Sequence, residues 1–140
     1  EGPLDYPQAQ QTASKTVVLI PGKDVTGDGI TLTLHGFIVE VLQPSSGMAT
    51  AGEELSVRAR VRMMCGCPTE PGGMWDATRY TIRAQLLRDG SVVAETPLSF
   101  AGTTNEYDGT IEVPEEGATQ LRVVASDAER GNFGVVTTAL

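Results

Sequence analysis

The chain has 140 residues, a formal net charge of −8, 40% hydrophobic and 20% charged residues. That length suits a single domain able to bury about two thirds of the surface its unfolded chain exposes. The acidic balance argues against a nucleic-acid backbone or an anionic membrane as partner, since both need a basic face, and no apolar run approaches the roughly 18 residues of a spanning helix.

The chain opens at Glu1 with neither an initiator methionine nor an apolar leader. We read this as a mature or trimmed form of an exported protein, periplasmic or extracellular. Both lysines, Lys15 and Lys23, lie near the start, whereas every arginine lies from Arg58 onward. Residues 1–29 are therefore expected to be a polar extension carrying one short strand, and residues 30–140 the folded domain. The run "TVVLI" at 16–20, stopped by Pro21 and Gly22, is too apolar to stand alone in water. It is expected to add to a sheet edge, in its own copy or in that of a homo-oligomer.

From there the pattern is period two. Residues 30–44 form a long β-branched run in which Gly36 marks a bend; its later part, about 36–43, is strand β1. Residues 54–64 alternate cleanly, with Leu55, Val57, Ala59, Val61 and Met63 on one face and Arg58, Arg60 and Arg62 on the other. That is the mark of a half-buried strand, β2. In β3, about 78–88, Tyr80, Ile82, Ala84 and Leu86 point inward, and Thr81, Arg83 and Gln85 outward. Asp89-Gly90 is a tight-turn dipeptide, which makes 91–100 its hairpin partner, β4. Strands β5 (about 106–113), β6 (119–126) and β7 (132–139) follow, each bounded by Gly, Pro or Asp. No stretch has helical spacing, and no fixed-period repeat occurs.

The closing stretch "VVASDAERGNFGVVTT" resembles the last hairpin of bacterial immunoglobulin-like and fibronectin-like domains, in which an A-x-D-x-x-G-N turn joins the final strands. "VEVLQPSSGMATAGEELSVRARV" is similar to their first two strands. The resemblance covers roughly residues 36–140 and implies an all-β, immunoglobulin-like β-sandwich of about seven antiparallel strands, preceded by an extension forming an extra strand or hairpin. It is specific for fold and nearly silent on function. The antibody-type Cys…Trp…Cys spacing is absent. Such a topology brings the β2–β3, β4–β5 and β6–β7 loops to one end, beside the start of β1.

At that end the β2–β3 loop draws attention. The stretch 60–77 holds Cys65, Cys67, three of the four methionines and the only tryptophan. Cys65, Cys67, Met64, Met74 and His35 could furnish a soft donor set for copper(I), because thioether and thiolate sulfur select that ion. Met63 has inward parity and belongs to the core. C-x-C is not a well-specified zinc spacing. A small disulfide or a buried thiol pair, shaped by Gly66 and Pro68, is the plainer reading, and a redox role stays open. Trp75 either closes the end of the core or anchors a sugar or protein partner. With Trp75, the loop residues Asp76, Asn105, Asp127 and Arg130 make up the expected binding set.

Other motifs carry less. In "GKDVTGDGIT", Asp24, Thr26 and Asp28 fall at alternating calcium-loop positions with Gly29 at the turn, but His35 stands where a bidentate glutamate is needed. A hairpin turn explains the same residues. The outward arginines are read as a sheet surface paired with acids; alternatively, Arg58–Arg62 receive the acidic N-terminal segment. No nucleophile–base arrangement or phosphate loop survives inspection, so no catalysis is expected. The expectation is an exported, non-catalytic binding module with a protein or carbohydrate partner, or alternatively a periplasmic copper(I)-handling protein using the same end.

Overall fold

A computed structural model describes residues 36–45 and 49–140. The expected N-terminal extension, the run at 16–20, the turn at 22–31, His35 and Met48 all lie outside the described residues. Among the described residues there are seven strands: β1 (Phe37–Gln43), β2 (Glu54–Met63), β3 (Thr81–Arg88), β4 (Ser91–Phe100), β5 (Glu106–Glu112), β6 (Gln120–Asp127) and β7 (Asn132–Ala139). A one-turn 3-10 helix at Ala77–Arg79 precedes β3.

All neighbouring strands are antiparallel, in the order β1-β2-β5-β4-β3-β6-β7. This order puts β2 beside β5 and β3 beside β6. The expected all-β, antiparallel character is found, and the described strands form one continuous, nearly closed, barrel-like sheet, because β4 pairs along β3 and then reaches β5 through Ser99↔Asp108 and Phe100↔Tyr107. The ends of the sheet approach one another where β7 meets β1. A Cβ placed on Gly134 would lie 2.8 Å from the Phe37 Cβ and 2.9 Å from its carbonyl carbon. Only glycine admits that approach.

Alternation explains which face is buried. Val57, Ala59 and Val61 from β2 meet Ile82, Ala84 and Leu86 from β3 and Leu121, Val123 and Ala125 from β6 in a single core. Each fully buried Val, Leu or Ile side chain contributes about 1.5–3 kcal/mol relative to exposure. Asp89 and Gly90 both have positive φ, 50° and 79°, the conformation that a two-residue hairpin matched to strand twist requires. The β1 irregularity falls between Val41 and Gln43 rather than at Gly36.

Outside the core, the arginine stripe is matched within its own sheet. Arg58 reaches Asp108 at 3.2 Å, Arg60 reaches Glu106 at 3.3 Å and Glu40 at 3.5 Å, and Arg62 reaches Glu40 at 3.3 Å. Arg58 and Asp108, Arg60 and Glu106, and Glu40 and Arg60 stand directly opposite in the strand register. Cross-strand pairing therefore accounts for the stripe.

Candidate functional site

The β2–β3 loop is pinned to the barrel by one residue the sequence did not single out. Thr69 is fully buried; its hydroxyl donates to the Val61 carbonyl at 2.9 Å, and the Tyr107 hydroxyl donates to it at 3.3 Å. Its backbone N–H donates to the Asn105 Oδ1 at 2.7 Å, while the Asn105 N–H donates back to the Thr69 carbonyl at 2.9 Å. The Asn105 carbonyl then accepts from the Val61 N–H at 2.7 Å. This clamp holds Asn105 at φ 68°, a left-handed conformation that Asn tolerates better than most residues. The β4–β5 loop is thereby bolted to the β2–β3 loop. Burial pushes the Tyr107 phenol pKa up, partly offset by its hydrogen bond to Thr69.

The remainder of the loop folds on itself. The Glu70 carbonyl accepts from Gly73 and Ala77, and the Glu70 N–H donates to the Trp75 carbonyl. Asp76 caps the 3-10 turn, its Oδ1 accepting from the Thr78 N–H at 2.9 Å and the Thr78 hydroxyl at 2.8 Å. These bonds, the backbone one foremost, hold its carboxyl below the usual carboxylate range.

The β6–β7 turn closes over the same loop. Asp127 is buried and its Oδ1 accepts from the Glu129 and Arg130 backbone N–H groups at 3.0 and 3.3 Å. Its backbone carbonyl accepts from Gly131, whose φ is +67°, and Asn132 Nδ2 donates to its Oδ2 at 3.4 Å. The turn from Asp127 to Asn132 is thus an Asx turn with Gly131 at the left-handed position. From this turn, Arg130 lies 5.3 Å over the Trp75 ring and Glu129 pairs with Arg79. Tyr80 meets Phe37 edge-on at 4.8 Å; burial, reinforced by the nearby Asp127 carboxylate, raises its pKa. The Met64 N–H donates to the Gly36 carbonyl at 3.1 Å, which joins the start of β1 to the same end.

The loops expected to converge do so, but the expected residues serve different purposes. Asp76, Asn105 and Asp127 spend their oxygens on internal bonds that shape the loops. Trp75 is half-buried and packs against the core while Arg130 covers its ring. Cys65 and Cys67 are joined in a disulfide with their Cα atoms 5.4 Å apart, and Cys65 is exposed, not part of a buried thiol pair. Met63 lies in the core. Met64 is 54% and Met74 87% exposed. In this disulfide form the Cys65 and Cys67 sulfurs are bonded to each other and neither offers a thiolate donor, while His35, the fifth member of the expected copper set, lies outside the described residues. Among the described residues, no group of three or more His, Cys, Asp or Glu side chains converges as a metal site. Thr69, Tyr107 and Glu129 were missed; a Thr in a Pro-flanked loop gives no periodic signal of burial.

No protein-family model matches this chain, and no curated protein matches it. Among solved structures it is similar to a double mutant of Cellulomonas fimi endo-beta-1,4-mannanase, at 16% identity and a TM-score of 0.43, covering 74% of this chain and 17% of that one. It is also similar to an engineered protein, at 17% identity and a TM-score of 0.48, covering 74% of this chain and 19% of that one. The chain thus spans less than a fifth of either neighbour, and neither likeness bears on what it does.

Proposed function

We propose that this chain is a non-catalytic, exported interaction module whose working surface is the end formed by loops 64–80, 101–105 and 127–131, and that its partner is a protein. Met74 carries the reading. It is 87% exposed, beside the Trp75–Arg130 stack. A flexible thioether next to an arginine and an aromatic is the chemistry of protein interfaces, where Met, Trp and Arg are enriched. A sugar ring needs an open aromatic face; here Arg130 covers the Trp75 ring and the half-buried side chain also packs against the core, which weighs against carbohydrate. The internally bonded carboxylates favour a rigid platform over a reacting centre. The exposed disulfide supports an oxidising compartment. We further read the barrel-like sheet as an immunoglobulin-like sandwich, since β4 and β5 share only two residue pairs and the halves are otherwise separate ladders.

The test is photo-crosslinking of the full chain in its native extract, with a photoreactive residue replacing Met74 or, as a control at the opposite end, the exposed Val92. A discrete adduct from position 74 and none from 92 is expected. Equal adducts, or none from 74, would overturn the assignment. A second reading, copper(I) handling, draws on the exposed Met64 and Met74 flanking the cysteine pair and applies to the reduced chain. It predicts stoichiometric competition with a chromogenic Cu(I) chelator that Cys65→Ser and Cys67→Ser abolish; no competition ends that reading.

A further inference from the structure

We propose that the Cys65–Cys67 disulfide is a thiol–disulfide exchange site, which takes a thiolate on another molecule as its substrate and receives it at Cys65. As a brace the bond does little. The entropy a disulfide removes from the unfolded chain grows with the loop it closes, and a separation of two residues puts this pair at the bottom of that scale. The loop is also held without it. The Gly66 N–H donates to the Met63 carbonyl at 2.9 Å and the Met63 N–H to the Cys67 carbonyl at 3.3 Å. Two residues further on, Thr69 is bonded to Val61 and Asn105.

That turn sets the spacing of the two cysteines. On an extended strand, residues two apart are separated by about 6.6–6.8 Å, the far limit for a disulfide. Reversal at Gly66, whose φ is +80°, brings the two Cα atoms to 5.4 Å, near the commonest value for a bridged pair. Backbone bonds hold this spacing, so the thiols stay adjacent after reduction and can close again at high effective concentration.

Exposure gives the exchange a direction. Cys65 is exposed, whereas Cys67 is half-buried and packs against the core. An incoming thiolate therefore attacks the Cys65 sulfur and forms a mixed disulfide there. The electron pair of the broken S–S bond leaves on Cys67 as a thiolate. A second substrate thiolate then attacks the substrate sulfur of the mixed disulfide and expels Cys65 as a thiolate. The substrate gains a disulfide and gives up two electrons, the Cys65–Cys67 pair becomes a dithiol, and the protons pass through water. One turnover needs no other oxidant. In the reverse step, the Cys67 thiolate closes on Cys65 and releases the first thiol. This chemistry requires neither the Met74 surface nor a bound metal.

The experiment incubates the full oxidised chain, under native conditions, with reduced glutathione or with a reduced peptide carrying two cysteines. Samples are quenched by alkylation and read by peptide mass. Both cysteines should become alkylated while the circular dichroism spectrum stays that of the folded chain. Glutathione disulfide in one arm, or a disulfide-bonded peptide in the other, shows whether a small thiol or a peptide-borne dithiol is the better substrate. Reduction by neither thiol until urea unfolds the chain, or loss of the folded spectrum on reduction, would overturn the proposal. In a second measurement with oxidised glutathione, Cys65 in Cys67→Ser should react about tenfold or more faster than Cys67 in Cys65→Ser. Equal rates, or a faster Cys67, would contradict attack at Cys65.

Discussion

Replacing Asn105 by alanine separates a turn-holding role from a ligand-binding one. Two losses add. The Thr69 N–H loses its 2.7 Å acceptor in a half-buried setting, which costs about 1–3 kcal/mol when no replacement is at hand. Alanine must also hold the left-handed backbone that Asn105 occupies at φ 68°, adding about 1 kcal/mol. The sum is roughly 2–4 kcal/mol of unfolding free energy, a large share of the total for a domain of this size. Asn105→Gly removes the same acceptor but adopts the backbone freely, so it should be the milder change despite its greater unfolded-state entropy. Urea unfolding followed by Trp75 fluorescence measures both. In parallel, the Thr69 amide should exchange faster with solvent in either variant. If Asn105→Ala costs less than about 1 kcal/mol, or if glycine is worse than alanine, the clamp between the two loops is not what holds this end together.

Gly134→Ala should destabilise the fold by about 1–3 kcal/mol through overpacking against the Phe37 backbone, seen as a lower thermal midpoint, whereas Gly90→Ala meets no atom within 4 Å and fails only through its φ of 79°. Because burial raises the Tyr107 pKa, the neutral phenol favours the folded state. That contribution is whole below the ordinary value near 10 and is lost as pH rises toward the folded value. Tyr107 should therefore ionise only as the protein unfolds in alkali, and Tyr107→Phe should move that unfolding to higher pH, both read by absorbance and circular dichroism. Arg60→Ala, which loses partly exposed pairs to Glu40 and Glu106, should cost no more than about 1 kcal/mol, with the difference shrinking in high salt.

How far the molecule could be read from its residues depends on the range of the interactions. Strand β4 at 91–100 and β7 at 132–139 have the bounds expected from alternation and turn chemistry, because Asp89-Gly90 and the Asp127-to-Asn132 turn are set by neighbours in sequence. The convergence of loops followed from topology. The Thr69–Asn105–Tyr107 clamp did not, since it joins residues 36 and 38 positions apart, and a buried threonine leaves no periodic trace. Gln85 looked outward by parity and is outward in the register, yet it is buried and hydrogen-bonded to Glu95 at 2.6 Å. The closing of the sheet rests on Gly134 against Phe37, a contact between opposite ends of the described chain.

The proposed working surface stands or falls on the seating of Arg130 over Trp75, which joins two loops 55 positions apart in sequence. Proton NMR of the native chain reads it directly. The Arg130 side-chain protons should resonate upfield of their unfolded positions, shifted by the indole ring current, and should return in Trp75→Leu while the Asp127 turn amides keep their shifts. Arg130 protons at unfolded-chain positions in the native protein would mean that the loops do not form one platform.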